Sequence, residues 1–379
     1  MTPYMSQREV LLIISASERD ANLYYATRFI APDPFVFIQI DGRKILLMSD
    51  LEVDRARSQA RVDRVESLSK LSADYRKRKG ERATFIELVG DYLRRKGVKD
   101  LLVPGDFPTM YADAFRKNRF QLHIKPDPFF ENRTLKTREE IRAIETTQRH
   151  TEAACRAACE TIARSRIQRG RLYYRGKLLT SEDIKKIINV TLMERGCVAQ
   201  HTIIACGADA VDPHCEGSGP LRANESIVMD IFPQSVASRY YADLSRTVVR
   251  GKASPKLKKM FTAVREGQEI AFRMIRHGAD GSKIHQAIQK RFEELRFPTG
   301  VIKGRMQGFF HGTGHGVGLE IHEPPRISVG KDILKAGHVV TVEPGLYYLD
   351  AGGIRLEDMV LVTRTGCRNL TRIPKILEL

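Results

Sequence analysis

From residue 10 to residue 132, short apolar runs alternate with amphipathic stretches. "VLLIIS" (10–15) is apolar nearly throughout and reads as a buried strand. "FVFIQIDGRKILLMS" (35–49) sets two strand patterns around Asp41-Gly42, a strong signal for a two-residue hairpin turn. "ERATFIELVGDYLRRKG" (81–97) has the periodicity of an amphipathic helix closed by Gly97, and the strand-like "LLVPGD" follows it. "QLHIKPDPFFENRT" (121–134) adds a strand, two prolines and a polar connection. A domain boundary is expected at 132–136, dividing the chain into 1–133 and 134–379.

The second part opens with a long helical pattern over 136–165, where Thr137 and Glu140 form a capping box. "SEDIKKIINVTLMERG" (181–196) predicts another helix, with Ser181 as its cap and Gly196 as its stop. Two more are expected near 255–276 and 282–295, beside strand-like segments. The pattern predicts an α+β fold with helices beside a largely antiparallel sheet.

Composition adds limits. The chain has 379 residues, 42% hydrophobic and 29% charged, which suits an ordinary globular protein with a core in each of two domains. No apolar run approaches the ~18 residues of a membrane span. The first twenty residues hold only five consecutive apolar residues, so no secretory leader and a cytoplasmic location are expected. Six scattered cysteines without C-x-x-C read as free thiols. The net charge of +17 draws attention to basic clusters at 75–82, 93–97 and 115–119, a candidate polyanion footprint. No recognition motif accompanies them. A solvated basic surface without a nucleic-acid or membrane partner is the expectation.

Charge inside apolar strands is more informative. Asp230 interrupts "SIVMDIF", Asp243 lies in "YYADLSRTVV", Glu343 ends "HVVTVEPG", and Glu357 with Asp358 precedes "MVLV". A buried carboxylate is costly unless a proton, a cation such as Arg246 or Arg355, or a metal neutralises it. Four such acids share this half with "HGTGHGVGLEIHE" (311–323), which holds three of the ten histidines and glycine at 312, 314, 316 and 318. The alternating glycines imply a backbone that something approaches closely, here a metal. Carboxylates with one imidazole and no thiolate suit Mn(II) or Co(II), with Fe(II) and Zn(II) as other fits. Four negative charges favour two ions, a pairing that activates a bridging water for hydrolysis. Phosphate loops, H-E-x-x-H zinc sites and the G-x-S-x-G elbow are all missing.

The order Asp230, Asp243, His315, Glu343, Glu357 resembles the ligand set of the pita-bread metallopeptidases of family M24. "YYADLSRT", "HGTGHGVGLEIHE", "TVEPGLY" and "GIRLED" resemble the segments around it. The resemblance implies a pita-bread catalytic domain behind a smaller α/β domain of creatinase/prolidase amino-terminal type. It also implies a dinuclear exopeptidase, of Xaa-Pro aminopeptidase or dipeptidase type, that cleaves by a metal-bridging hydroxide. Asp230, Asp243, His315, Glu343 and Glu357 would hold two divalent ions, Glu343 also moving the proton. His214 and His322 would contact the reacting carbonyl, and His311, Tyr347 and Arg355 would serve the substrate pocket. A peptide with proline second is the implied substrate and a homodimer the implied assembly. Other readings are a catalytically silent relative that binds proteins or nucleic acid, and a hydrolase of a different peptide or amide. Two departures stand out. Asp230-Ile231-Phe232 replaces the usual Asp-x-Gly, and the interval to Asp243 is thirteen residues instead of eleven, which predicts an enlarged hairpin or a bulge. Ser245 keeps a hydroxyl where threonine is usual.

Overall fold

The computed structural model describes residues 9–379; the first eight residues, part of the stretch read above for a leader, lie outside the described residues. The chain divides into two compact units, residues 1–131 and 132–379.

The first unit runs β1 (Val10–Ser15), α1 (Ala21–Thr27), β2 (Phe35–Ile40), β3 (Arg43–Met48), α2 (Val53–Gln59), β4 (Arg64–Ser67), α3 (Leu68–Lys79), α4 (Phe85–Arg95), β5 (Asp100–Pro104), α5 (Thr109–Lys117), β6 (Gln121–Lys125). Its strands form one sheet in the order β4-β3-β2-β1-β5-β6, antiparallel in the middle and parallel at both flanks. Val10, Leu12 and Ile14 of β1 join the core under α3, α4 and α5, while Leu11 and Ile13 join the one under α1 and α2. Both faces are covered, which is why the strand reads as an unbroken apolar run. Asp41 (φ 49°) and Gly42 (φ 80°) both take left-handed backbone, as a two-residue turn of the Asp-Gly type requires.

The second unit continues with α6 (Arg138–Ala163), β7 (Arg166–Gln168), β8 (Arg171–Tyr174), β9 (Lys177–Leu178), α7 (Ser181–Met193), β10 (Cys197–Val198), β11 (Ile203–Cys206), β12 (Ser226–Ile231), β13 (Gln234–Ser235) and β14 (Leu244–Val249). Then come α8 (Pro255–Met274), α9 (Gly281–Glu294), β15 (Gly300–Ile302), β16 (Arg305–Gln307), β17 (Gly314–Gly316), β18 (Glu323–Ile327), β19 (Val339–Val342), β20 (Gly345–Tyr348), β21 (Gly352–Arg355), β22 (Asp358–Val362) and β23 (Cys367–Asn369). The Thr137–Glu140 capping box starts α6 as expected. The cap of α7 is Thr180, not Ser181. Its reciprocal hydrogen bonds need an acid three residues on, and Asp183 stands in that relation only to Thr180.

Two antiparallel sheets carry the unit. β11-β12-β14 packs under α6 and α7, and β18-β17-β19-β22-β23 packs under α8 and α9. Ile227, Met229 and Ile231 enter the α6–α7 core, so Asp230 points to the other face of its strand. Val340 and Val342 enter the α8–α9 core, which turns Thr341 away from it. "GIRLEDMVLV" is two strands in different sheets, β21 and β22, broken at Leu356-Glu357.

Candidate metal centre

Strand register assembles most of the site. In the β12–β14 ladder Asp230 lies opposite Ser245 and Ile231 opposite Leu244, and an isolated bridge between Gln234 and Tyr241 keeps that register further out. Directly opposed residues share a face, as do residues two apart, so Asp230, Asp243 and Ser245 share one. The thirteen-residue interval is therefore an enlarged hairpin whose ladder has no bulge. In the second sheet Val342 lies opposite Asp358, so Glu343 and Glu357 come opposite one another one step beyond the ladder. Gly316 lies opposite Val340, which brings His315 beside Thr341; the His315 amide donates to Thr341 Oγ1 at 3.1 Å. The sheets join where the Glu357 amide donates to the Ser245 carbonyl at 3.0 Å.

One ligand atom each from Asp243, His315 and Glu357 lies within 4.8 Å of the others. All three residues are buried, with 4%, 5% and 2% exposure. His315 Nε2 is 3.3 Å from Glu343 Oε1 and 3.6 Å from Asp243 Oδ2. His315 Nδ1 donates to the Gly316 carbonyl at 3.1 Å, which turns Nε2 toward the carboxylates. Asp230 Oδ2 accepts from Arg355 Nη2 at 2.6 Å, whereas its Oδ1 is buried without a partner.

The electrostatics show a shortage of positive charge. Burial, then Asp230, raises Asp243, and burial, then Asp243, raises Glu357. Burial raises Asp230 against the opposing pull of Arg355. Burial acts to raise Glu343 too, but the hydrogen bond and charge of His315 outweigh it and bring the pKa down to about 2. Arg355 supplies a positive charge that the sequence count of four carboxylates left out. A divalent cation would relieve the remaining repulsion and satisfy the orphaned Asp230 oxygen. The residues fit a metal.

Asp230, Asp243, Glu343, Glu357 and His315 border a cavity of about 950 Å³, which His214, His311, His322 and Arg355 also line. His214 sits on an exposed loop, and the His322 ring stands edge to face on His315 with centroids 4.4 Å apart. Tyr347 is fully buried and reaches the cavity only through its neighbours. Its hydroxyl accepts from Arg355 Nη1 at 3.2 Å and donates to His311 Nε2 at 3.0 Å, while His311 Nδ1 donates to the Gly312 carbonyl. Burial keeps this chain uncharged at its ends, with His311 down to about 4 and Tyr347 up to about 12. The Ser245 hydroxyl donates to Glu357 at 2.9 Å and accepts from Arg355 Nε at 3.0 Å, joining the two halves of the network.

The neighbouring Asp358 turns the other way and pairs with Arg246 at 2.9 Å. The glycines of the histidine segment do not make room for a metal. A Cβ on Gly314 would lie 2.0 Å from the Thr341 carbonyl, one on Gly316 2.4 Å from the Pro324 carbonyl, and one on Gly318 2.5 Å from the Glu323 carboxylate. They let neighbouring strands and one buried acid come close. Sequence reasoning also passed over Glu323, which receives Lys136 Nζ at 2.6 Å, and Arg326, which lines the cavity. No local pattern marks either residue.

Carboxylates and one imidazole meeting between two antiparallel sheets define a metallohydrolase of carboxylate type. Residues 142–364 match metallopeptidase family M24, and the chain belongs to that family. The fold is α+β, with the pita-bread arrangement in the second unit. The chain is 25% identical to an Xaa-Pro dipeptidase of Pyrococcus horikoshii, over 99% of this chain and 96% of that one. It is 29% identical to the Xaa-Pro dipeptidase of Pyrococcus furiosus over 74% of this chain and 76% of the relative. The solved prolidase from Pyrococcus furiosus superposes with a TM-score of 0.78 at 25% identity, covering 97% of both chains.

Proposed function

We propose that the chain hydrolyses the peptide bond between an amino-terminal residue and a following proline, with two divalent ions held by Asp230, Asp243, His315, Glu343 and Glu357. The convergence of Asp243, His315 and Glu357, with Glu343 on the same imidazole, is the observation that carries this reading. The relatives named Xaa-Pro dipeptidase support the proline preference. Mn(II) or Co(II) suits the oxygen-rich donor set best. Such ions supply Lewis-acid polarisation of the scissile carbonyl and a water of lowered pKa.

The remaining work falls to side chains. Glu343 takes the proton of the attacking water and returns it to the leaving nitrogen. His322 and His214 donate hydrogen bonds to the developing oxyanion from the cavity wall. Partial burial, then the positive potential of His315, lowers the His322 pKa to about 4, so it acts as a neutral donor. Phe232, Phe310 and Ile321 give the cavity an apolar side suited to a proline ring. Arg326 faces the same space, and its guanidinium suits the free carboxylate of a dipeptide.

The test is hydrolysis of Xaa-Pro, Xaa-Pro-Yaa and Met-Xaa peptides by the Mn- or Co-loaded protein, with Xaa-Pro expected to turn over fastest. Glu343→Gln should lower kcat by roughly 10²–10⁴ while circular dichroism stays unchanged. Normal turnover in that variant would remove Glu343 from the mechanism, and inert Xaa-Pro peptides would remove the substrate assignment.

A further inference from the structure

The positive surplus does not lie where the basic clusters of the first third suggest. Residues 1–131 hold 23 Lys and Arg against 19 Asp and Glu, and residues 132–379 hold 40 against 27. Acids elsewhere in the first unit offset most of the early clusters, and within them Arg78 pairs with Asp74 and Asp91, and Arg95 with the same two. In the second unit, residues 161–181 carry Arg164, Arg166, Arg169, Arg171, Arg175 and Lys177 with no Asp or Glu at all. All six are exposed, and among the described residues none pairs with a carboxylate.

These residues build the three-stranded meander β7-β8-β9. Arg166 lies opposite Tyr173, Gln168 opposite Arg171, and Tyr173 opposite Leu178. Strand alternation puts Arg166, Arg171 and Tyr173 on one face, with neighbours ~5 Å apart across strands and ~7 Å along them. Leu172, on the opposite face, is fully buried in the α6–α7 core, so the arginine face is the outward one. The two tight turns carry Arg169 and Arg175 to opposite ends of the sheet. Backbone hydrogen bonds fix the platform: Leu172 N to Leu221 O at 3.0 Å, Leu221 N to Leu179 O at 3.0 Å, and Ala223 N to Gly170 O at 2.9 Å. The charge therefore sits on a rigid surface.

The geometry points to this meander as a docking surface for single-stranded nucleic acid, with arginines on backbone phosphates and Tyr173 stacking on a base. Six cations without acidic partners are complementary to a polyanion. A half-exposed tyrosine between arginines supplies the stacking platform that a single strand uses and a duplex hides.

The test is fluorescence anisotropy of a labelled 20-nucleotide oligouridylate with the full chain, titrated at several salt concentrations. Four phosphate contacts should weaken binding about fiftyfold between 50 and 200 mM salt. The combined variant Arg166→Gln, Arg169→Gln, Arg171→Gln, Arg175→Gln should bind at least about tenfold more weakly, with the slope of log K against log salt shallower by about 0.7 for each contact removed. Tyr173→Ala should weaken binding and leave that slope unchanged. A triple Arg76→Gln, Lys77→Gln, Lys79→Gln variant in α3 should bind as the parent does. No binding at 50 mM salt overturns the proposal, as does an equal loss in the α3 variant. Competition by polyglutamate as effective as by oligouridylate of equal charge also overturns it, in favour of an acidic protein partner. Unchanged melting temperatures show that the variants are folded.

Discussion

Glu323 and Arg355 show how much of the site depends on side chains that carry no motif. The Glu323 carboxylate sits where Gly318 lacks a side chain, accepts the Leu319 and Glu320 amides at 3.0 and 3.2 Å, and takes Lys136 Nζ at 2.6 Å. It thereby pins the segment carrying His322 to the residue that precedes the α6 cap. Glu323→Gln keeps the shape but leaves Lys136 buried without its counter-ion, at a cost of about 3–5 kcal/mol. Loss of loop position should lower kcat roughly ten- to a hundredfold, with metal content unchanged. A variant with parental kcat and stability would show that the buried pair positions nothing. Arg355 was legible as a partner for some carboxylate, but its choice of Asp230 follows from β12 and β21 lying side by side.

At the scale of elements, register explains why the longer β12–β14 hairpin is tolerated. Two extra residues preserve the parity of strand alternation, so Asp243 still faces the way Asp230 does; one extra would reverse it. Removal of Ala237 and Ser238 together should retain metal binding and leave activity within about tenfold, whereas removal of Ala237 alone should abolish bound metal. Metal stoichiometry decides between these, and equal behaviour of the two deletions would refute the parity argument. A second element, the turn before β19, holds His338 at 4% exposure with Nδ1 accepting the Lys335 amide. Burial, then Lys136, lowers its pKa from 6.5 to about 4. The folded state thus favours the neutral ring. Its contribution is complete above pH 6.5 and drains away as pH falls towards 4, by roughly 3 kcal/mol in total. Urea unfolding of the parent and His338→Asn should give a stability difference that shrinks between pH 7.5 and 4.5. A constant difference would mean that the ring does not titrate as described.

For the whole molecule, the candidate metal site lies where the two sheets meet, beside the Glu357–Ser245 backbone hydrogen bond and the buried Arg246–Asp358 pair. Ligand binding to the folded state alone stabilises by about 2.7 kcal/mol at a hundred times Kd. Chelation should therefore lower the melting temperature and eliminate hydrolysis, and added Mn(II) should restore both. A melting temperature indifferent to chelator would argue against ions at Asp243, His315 and Glu357. Charge behaves differently at this scale than in local runs. Basic clusters in the first unit catch the eye, yet the larger excess lies in the second unit.

The sequence by itself determined the elements with strong periodicity, the Asp41-Gly42 hairpin, the α6 capping box and the identity of the acids inside apolar strands. Each depends on interactions within a few residues or on the cost of burying charge, and both are visible in a linear pattern. Only the tertiary structure decided which cation neutralises which acid, that Glu357 and Asp358 face opposite ways into different networks, and that the glycines of 312–318 accommodate neighbouring strands and Glu323. The α7 cap at Thr180 was local as well, and the spacing to Asp183 would have found it. The cation–acid pairs join residues more than a hundred positions apart, and the glycine contacts, although only 5 to 27 positions apart, depend on strand register and loop packing, both set only after the chain has closed on itself.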